Sequence, residues 1–365
     1  MIRKLTIVTD AWKPQVNGVV KTISSIRKPL SQMGYDVKIV CPRMFATVPC
    51  PGYGEISLAV DGHKTGAIID RQNPDFVHIA TEGPLGLSAK LHCIANGIRH
   101  TSSFHTMYPE YLKEMMGMPT EVTYGYLQWF HSSSSKILVP THSIKRILEG
   151  KGFSNMAIMP RGVDQHMFRP MARHAERTSP PTYVYVGRVS IEKNIGFFLG
   201  LDLPGKVVVI GDGPALNSLK SKHPKVTFTG FLHGKDLATR MASSDVFVFP
   251  SKSDTFGISI IEAMSCGLPV VAFDAPGPMD IIVPGTGLLS LTDEDFEKNC
   301  IDAISITWDR DMCVRHASTY TWDGVARTFS SNLVQTRDAR EAAPASRMLE
   351  PARKFIRMMT DRISW

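Results

Sequence analysis

The stretch DVFVFPSKSDTFGISIIEAMSCGLPVVAFD, residues 245–274, indicates the fold most directly. An apolar run ends at Pro250, a polar loop follows, and apolar residues recur at helical spacing from near Gly257, which predicts a buried strand, a loop and a helix. The apolar run PVVAF, residues 269–273, predicts the next strand. Short apolar strands that alternate with helices are typical of a parallel sheet covered by helices.

The same alternation fills both halves of the chain. Strands are predicted at residues 4–9, 37–41, 76–79, 98–104 and 137–140, and then at residues 183–186, 206–210, 225–229, 246–249 and 269–273. The stretch 41–54 is rich in Pro and Gly and predicts an irregular excursion from the sheet. A proline-containing, aperiodic stretch at 169–181 separates the halves. We therefore expect an α/β protein with domains at 1–170 and 171–336 and a helical tail at 337–365.

The amino-acid composition is that of a globular protein. Of the 365 residues, 43% are hydrophobic and 21% are charged, which is ordinary for a globular protein. No apolar run reaches the roughly 18 residues of a membrane span, and the first ten residues predict a strand rather than a secretory leader. We therefore expect a cytoplasmic protein. The six cysteines are scattered without a C-x-x-C pair, and the histidines lack metal-ligand spacing, so no metal site is predicted.

The net charge of +7 lies entirely in the N-terminal half. Residues 1–170 carry 19 Lys and Arg against 12 Asp and Glu, whereas residues 171–365 carry 22 of each. A basic surface attracts anionic lipid headgroups, phosphorylated substrates or nucleic acid, and it equally serves solubility alone. The sequence has no recognition helix, RNA-binding signature or basic-aromatic stripe, so we expect no nucleic-acid partner.

The loop after residue 250 carries groups suited to a charged ligand rich in hydroxyl groups. The backbone N–H groups of residues 255–258 gather at the start of the predicted helix, where the helix dipole favours a diphosphate or a sugar ring. Asp254 and Glu262 are eight positions apart, so both carboxylates can face one crevice and accept hydrogen bonds from sugar hydroxyls. The alternative is that Asp254 caps the helix and Glu262 is a surface residue.

Two cations follow the first strand of the C-terminal half. In YVGRVSIEKN, residues 185–194, Arg188 and Lys193 are five positions apart. Such a pair can neutralise a pyrophosphate and stabilise a leaving diphosphate, which makes a metal ion unnecessary. The alternative is a pair of exposed cations beside Glu192 in a weak surface ion pair.

Two residues of the N-terminal half also follow predicted strands. Gly18, in the loop after the first strand, permits close approach of a ligand to the backbone where the next helix begins. His105, in SSFHTMYPEY, stands where its side chain can point into a crevice between the domains, although a lone histidine is more often structural.

A third glycine-containing segment imitates a dinucleotide fingerprint. VVVIGDGPAL, residues 207–216, has Gly211 and Gly213 after a strand. The third glycine position is Leu216, and no acidic residue ends the next strand to hold a ribose. We therefore expect no nicotinamide cofactor.

Taken in order, these segments resemble the retaining glycosyltransferases of family 4, which have the GT-B fold of two Rossmann-like domains with an interdomain cleft. The resemblance runs from residue 4 to about residue 282 and is carried by TDAWKPQVNGVVKT, FHTMYPEYL, VPTHSIKRIL, RGVD, YVGRVSIEKN, GDGPAL, FTGF and SDTFGISIIEAMSCGLPVVAFDAPG. Within the family the sequence is most similar to bacterial α-mannosyltransferase-like enzymes and to enzymes that glycosylate diacylglycerol.

The resemblance implies roles for individual residues. Arg188 and Lys193 would bind the donor diphosphate, and Glu262 would hold the donor ribose. Gly18 would approach the pyrophosphate, and His105 would touch the donor sugar near the reacting centre.

The transferred sugar would be held by the side chain of Asp254 and by the backbone of Phe256, Gly257 and Ile258. The sequence departs from the family at two of these positions. Asp254 stands where much of the family has Glu, and Thr255 where Gly or Pro is common. The shorter acid leaves the identity of the sugar open.

The resemblance also implies an activity. The expected reaction moves an α-linked sugar from a UDP- or GDP-sugar to a lipid such as diacylglycerol, without metal or other cofactor, at an anionic membrane surface on the inner face of the plasma membrane. The alternative acceptor is a saccharide or a polyprenyl-linked sugar. The tail helix would lie in the membrane interface or pack back across the domains. A sugar-nucleotide epimerase and a non-catalytic sugar-nucleotide sensor are the rival functions, and the combined cation and carboxylate motifs argue against both.

Overall fold

The computed structural model describes residues 2–50, 53–171 and 180–336. The chain divides into two compact units. The first unit comprises the residues up to Met159 together with the chain from Val325, and the second unit runs from Pro160 to Gly324. Within the described ranges, no helix has both the length and the apolar character needed to cross a bilayer.

The first unit is built on a parallel sheet. Its strands and the hairpin that follows the second of them are β1 (Arg3–Val8), β2 (Tyr35–Val40), β3 (Thr47–Cys50), β4 (Tyr53–Ala59), β5 (Phe76–Ile79), β6 (Thr101–Ser103), β7 (Ile137–Val139) and β8 (Met156–Ile158). Its helices are α1 (Gly18–Gln32), α2 (Thr65–Gln72), α3 (Pro84–Ala95), α4 (Tyr108–Met116), α5 (Thr120–His131) and α6 (His142–Gly150). The six-stranded sheet has the order β2-β1-β5-β6-β7-β8, and β3 pairs only with β4.

The second unit repeats this construction. Its strands are β9 (Thr182–Val186), β10 (Lys206–Ile210), β11 (Thr227–Phe228), β12 (Val246–Phe249), β13 (Val270–Phe273) and β14 (Gly287–Ser290). Its helices are α7 (Ile195–Leu199), α8 (Leu216–Lys222), α9 (Gly234–Ala242), α10 (Ile258–Ser265), α11 (Pro278–Ile281), α12 (Asp293–Ser305) and α13 (Arg310–Ala317), and α14 (Trp322–Ser331) crosses the boundary at Val325. All six strands are parallel, in the order β11-β10-β9-β12-β13-β14.

The burial of the central strands explains why their sequence pattern is so clear. Every residue of β5, β12 and β13 is buried. A parallel strand covered by helices on both faces reads as a continuous apolar run, and such runs predict the strands at 76–79, 246–249 and 269–273. The predicted α/β architecture with two parallel sheets is confirmed.

The boundaries of the units differ from the predicted domains 1–170 and 171–336. Residues 160–170 belong to the second unit, where the hydroxyl of Ser265 donates to the carbonyl of Phe168 at 2.6 Å. Residues 325–336 return to the first unit, where the ring of Phe329 lies 4.8 Å from that of His78. The predicted boundary follows the loss of sequence periodicity at 169–181, whereas the observed boundaries follow the packing of residues 160–170 and 325–336. The predicted tail helix at 337–365 lies outside the described residues.

The segment 41–54 leaves the six-stranded sheet, as predicted, but the prediction that it is irregular is wrong. A 3₁₀ turn at Pro42–Met44 leads into an antiparallel hairpin in which Val48 faces Leu58. The register shifts between Pro49 and Cys50. A proline in a strand removes a ladder donor and is tolerated only at an edge or a bulge, which is why this segment does not read as a strand.

Candidate functional site

The carboxyl ends of β9 and β12 position the predicted donor-binding residues of the second unit. The two strands are adjacent and parallel, with Val246 beside Tyr183 and Phe247 beside Val184. The loops that follow them, residues 187–194 and 250–257, therefore leave the sheet at the same edge. This edge is where open α/β sheets bind their ligands.

Three hydrogen bonds join these two loops. The Nζ atom of Lys193 donates to Oδ1 of Asp254 at 2.7 Å, and the amide of Asn194 donates to the carbonyl of Pro250 at 3.2 Å. The hydroxyl of Ser253 donates to the carbonyl of Glu192 at 3.4 Å. Lys193 thus pairs with Asp254 across the two loops, while Glu192 accepts from Ser190 at 2.6 Å. Lys193 therefore pairs with Asp254 rather than in a weak surface pair with Glu192.

The Asp254 carboxylate is only half satisfied. Its Oδ1 atom accepts from Lys193, but its Oδ2 atom is buried and has no hydrogen-bond partner within the described part of the chain. The side chain as a whole is 20% exposed. Buried carboxylate oxygens are almost always hydrogen-bonded, and an exception calls for an explanation such as an absent ligand. Asp254 therefore presents an acceptor that a ligand hydroxyl can satisfy.

Arg188 stands on a loop whose backbone is fixed from two sides. The phenol of Tyr185 donates to the carbonyl of Arg188 at 2.7 Å, and burial raises the pKa of that phenol well above its ordinary value. The N–H of Gly187 donates to Ile210 at 3.0 Å, and that of Val189 donates to Asp212 at 2.9 Å. Arg188 itself is half-buried. These bonds fix the backbone from which the Arg188 side chain extends.

The glycines that imitate a dinucleotide fingerprint have a packing role. A Cβ atom on Gly211 would overlap the carbonyl oxygen of Gly187, and one on Gly213 would overlap that of Val189. The loop after β10 can therefore lie directly against the loop that carries Arg188 only because both positions lack a side chain.

The start of α10 is shaped by backbone rather than by a capping side chain. Gly257 is the N-cap residue, with φ of 94° and no side-chain cap, so the alternative in which Asp254 caps the helix is wrong. Phe256 beside it is buried and packs edge-on against Tyr320, with ring centroids 5.9 Å apart. A Cβ atom on Gly277 would lie 2.9 Å from the backbone nitrogen of Phe256. The N–H groups at residues 256–258 are thus held at a helix N-terminus, and Gly277 is a residue that sequence reasoning missed.

Glu262 lies in the second turn of α10 and is 7% exposed, so the alternative of a surface residue is wrong. Burial, with a smaller contribution from the Glu262 carboxylate, raises the pKa of the Cys266 thiol to about 12. A charge so largely removed from water is costly unless it is paired or hydrogen-bonded. A carboxylate that is buried to this extent is more typical of a binding site than of a side chain that only faces solvent.

The structure places Gly18 and His105 in the first unit. Gly18 is the first residue of α1, and the Asn17 side chain accepts from the N–H groups of Val19 and Val20, so the cap does not use the N–H of Gly18. His105 is half-buried in the segment between β6 and α4. Both follow the carboxyl ends of strands, as predicted from the sequence.

Sequence reasoning missed Asp10, at the end of β1. Its carboxylate accepts from the N–H of Leu85 at 2.8 Å, from the N–H of Gly86 at 3.3 Å and from the hydroxyl of Thr81 at 2.7 Å. Burial nevertheless raises the pKa of Asp10 above its usual value. The available signal was an acid directly after a strand, combined with the glycine-containing segment TEGPLG at 81–86.

Sequence comparisons show which proteins this chain resembles. The family model described as Glycosyltransferase Family 4 matches residues 16–166, and the model described as Glycosyl transferases group 1 matches residues 180–308. A GDP-mannose-dependent alpha-mannosyltransferase of Mycobacterium tuberculosis (strain CDC 1551 / Oshkosh) is 30% identical over 336 residues, which cover 83% of this chain and 87% of that protein. An alpha-monoglucosyldiacylglycerol synthase of Streptococcus pneumoniae is 25% identical, with 75% and 71% covered.

A comparison with solved structures extends the likeness to the fold. A sucrose-phosphate synthase of Thermosynechococcus elongatus matches with a TM-score of 0.75 over 90% of this chain and 98% of that one. At 15% sequence identity, this match shows a shared architecture and says nothing of a shared substrate.

Proposed function

The chain belongs to glycosyltransferase family 4 and has the GT-B fold, and from this premise we propose that it transfers a sugar, with retention of anomeric configuration, from a UDP- or GDP-sugar to a membrane lipid such as diacylglycerol. The observation that carries the proposal is the Lys193–Asp254 pair at the carboxyl edge of the second sheet, in which one carboxylate oxygen is buried and accepts no hydrogen bond from any described residue. A diphosphate sugar supplies an anion for the ammonium group and a hydroxyl for the carboxylate.

The donor roles are assigned from charge and position. Arg188 and Lys193 neutralise the diphosphate, and the Asp254 carboxylate accepts from a hydroxyl of the transferred sugar. The backbone N–H groups of Phe256, Gly257 and Ile258 face the sugar or its phosphate at the start of α10. Glu262 accepts from the ribose hydroxyls.

The first unit completes the proposed assignment. Gly18 lets the donor pyrophosphate approach the start of α1, and His105 contacts the donor sugar near the anomeric carbon. These are the roles that the family resemblance implies, and both residues stand at the carboxyl edge of their sheet, where such roles are possible.

We propose a front-face displacement for the chemical step. The bond between the anomeric carbon and the diphosphate oxygen breaks while the acceptor oxygen bonds on the same face. The leaving diphosphate keeps the electron pair of the broken bond and takes the proton of the acceptor hydroxyl. Arg188 and Lys193 stabilise the charge that develops on the diphosphate, which is the service a metal ion provides in other enzymes, so the proposed reaction requires no metal.

The lipid acceptor is supported by the name of the Streptococcus pneumoniae relative, an alpha-monoglucosyldiacylglycerol synthase, and by the basic excess of residues 1–170. An anionic bilayer attracts such a surface. The proposed location is the cytoplasmic face of the membrane, where nucleotide sugars are made available.

The test is a donor panel with and without acceptor. The purified chain is incubated with UDP-glucose, UDP-galactose, UDP-glucuronate or GDP-mannose, in the presence or absence of diacylglycerol vesicles, with EDTA throughout. We expect one donor to yield a glycolipid with an α-linkage. Transfer only to a saccharide acceptor would replace the lipid by the alternative acceptor, and a requirement for added metal would contradict the role given to Arg188 and Lys193.

A further inference from the structure

Phe256, whose backbone N–H group is assigned to the donor, has its side chain buried inside the second unit. Its ring and that of Tyr320 meet at right angles to within a few degrees of a T shape, with centroids 5.9 Å apart. The guanidinium carbon of Arg161 lies over the ring, 6.0 Å from its centroid and within reach of a cation–π contact. A Cβ atom on Gly277 would crowd the Phe256 backbone. The position of Phe256 therefore depends on three other segments of the chain.

Two of these segments are joined to each other. The N–H of Val163 donates to the carbonyl of Tyr320 at 3.0 Å. A Cβ atom on Gly162 would lie 2.6 Å from the backbone nitrogen of Trp322, so the segments lie this close only because Gly162 has no side chain. The backbone that carries Arg161 is thus fixed beside the segment that carries Tyr320.

Tyr320 is also held by its own neighbours. Its ring meets that of His316 with centroids 5.6 Å apart, and Nε2 of His316 donates to the carbonyl of Ile281 at 2.7 Å. Ile281 ends α11, the helix that begins directly after Gly277. Two of the three supports of the buried ring are therefore connected through neutral contacts, and only the guanidinium carries a charge.

Arg161 is an unusual residue for this position because it is removed from water. It is 4% exposed, and its Nη1 atom donates to the carbonyl of Pro160 at 3.1 Å. Burial lowers the pKa of Arg161 to about 9, which leaves the guanidinium charged at neutral pH. Arginine is almost never buried to this extent unless its charge is compensated. A charge kept here despite that cost indicates a role that an apolar side chain of similar length does not fill.

We propose that Arg161 is a positioning residue of the donor site, whose guanidinium holds the Phe256 ring and so aims the N–H groups of residues 256–258 at the sugar or its phosphate. A cation is attracted to the face of an aromatic ring and not to its edge, so this contact selects one orientation of the ring. Arg161 acts through Phe256 and does not touch the donor. The inference rests on the proposed function, which assigns those N–H groups to the donor.

The test measures the affinity of the intact chain for UDP-glucose, UDP-galactose, UDP-glucuronate and GDP-mannose by calorimetry. The variants are then compared on the nucleotide sugar that wild type binds most tightly. R161M replaces the guanidinium with an apolar chain and should weaken this affinity about tenfold, the size of one desolvated cation–π contact. R161K keeps a cation and should weaken it only about threefold. Unchanged affinity in R161M would overturn the inference.

The matched control is R240M. Arg240 is half-buried on α9, which leads into the amino end of β12 and so away from the edge that carries the donor loops. R240M removes an arginine from the same unit and should bind the nucleotide sugar as wild type does. Equal losses in R161M and R240M would reveal a general effect of removing a partly buried charge and would count against the positioning role.

A double-mutant cycle separates positioning from a general loosening of the fold. F256L removes the ring, keeps the backbone and should weaken affinity about tenfold by itself. Because Arg161 acts through Phe256, R161M/F256L should bind about as weakly as F256L. Independent losses, which multiply to about a hundredfold, would contradict the inference. R161K carries the same test if R161M does not fold, since its threefold loss should vanish in the F256L background.

The same titrations distinguish this inference from the proposed function. Equal binding by wild type and by R161M would defeat the role of Arg161 and leave the donor site standing. Absence of binding to any of these nucleotide sugars by wild type would defeat the proposed function itself, and the positioning role with it.

Discussion

The two sheets share one scaffold and differ in the loops at the carboxyl ends of their strands. In the second unit, the loops after β9 and β12 are joined by three hydrogen bonds and leave a paired ammonium and carboxylate at the edge. In the first unit, the corresponding edge carries exposed cations, exposed apolar side chains and a 300 Å³ pocket. The shared fold therefore gives both sheets an edge where ligands can bind, and the side chains on the loops decide what each edge can recognise.

Among single substitutions, Lys193→Ala should have the largest effect on the edge of the second sheet. Loss of the ammonium removes charge stabilisation from the leaving diphosphate, and transfer should fall roughly 10²–10³-fold. The matched control is Lys252→Ala, because Lys252 also pairs with an aspartate at 2.7 Å but is 53% exposed. Initial rates at saturating donor distinguish the two variants. Equal rates for both would show that the Lys193–Asp254 pair is an ordinary surface ion pair.

The packing of the loop after β10 gives the next largest effect. Gly211→Ala should lower the free energy of unfolding by about 2–4 kcal/mol, because the new Cβ overlaps a carbonyl oxygen and the residue also has positive φ. Gly230→Ala is the control, since it has φ of 71° and open space around it, and only the backbone strain of about 1 kcal/mol applies. Urea denaturation compares them, and equal losses would mean that close approach to Gly187 is unimportant.

Two buried histidines should make the stability of the first unit depend on pH under acidic conditions. Burial lowers the pKa of His78 to about 3 and that of His100 to about 4, from 6.5. The unfolded chain therefore takes up protons that the folded chain does not, and stability should fall as the pH drops from about 6.5 towards 4. His78→Gln should reduce this slope by up to about 1.4 kcal/mol per pH unit. Urea midpoints across this range provide the measurement, and a slope identical to that of wild type would contradict the burial of a neutral imidazole.

The smallest expected effect comes from losing the hydrogen bond between the Tyr185 hydroxyl and the Arg188 carbonyl. Tyr185→Phe removes the hydroxyl that donates to the Arg188 carbonyl and should weaken donor affinity by up to about tenfold. Tyr183→Phe is the control, because the Tyr183 hydroxyl donates a comparable hydrogen bond to the Cys300 carbonyl at 3.0 Å. This variant should lose stability and keep its donor affinity. Titration with the nucleoside diphosphate separates these outcomes; a weaker affinity in both variants would indicate a general loosening of the sheet.

Local patterns in the sequence predict the strands and the charged residues at their ends. Buried parallel strands such as Val246–Phe249 read as continuous apolar runs, and Lys193 and Asp254 stand out because charged residues follow such runs. Their pairing was not predictable, since it depends on two strands about 60 residues apart becoming neighbours. The predicted roles of Arg188, Glu262, Gly18 and His105 stay predictions.

Other features could not be predicted from the sequence because they depend on contacts between residues that are far apart along the chain. Asp10 meets the N–H groups of residues 85 and 86 only after β1 pairs with β5. The hairpin at 47–59 contains a proline that argues against a strand, and its pairing prevails nonetheless. The boundary at residue 160 depends on contacts of Phe168 with a helix almost a hundred positions away.

The most direct measurement of the central claim is calorimetric titration of the intact chain with UDP and with GDP, alongside Lys193→Ala and Lys252→Ala. We predict that wild type and Lys252→Ala bind one of the two nucleotides with equal affinity and that Lys193→Ala binds it far more weakly. Absence of binding to either nucleotide by wild type, or equal binding by all three proteins, would contradict a diphosphate-sugar site at the edge of β9 and β12.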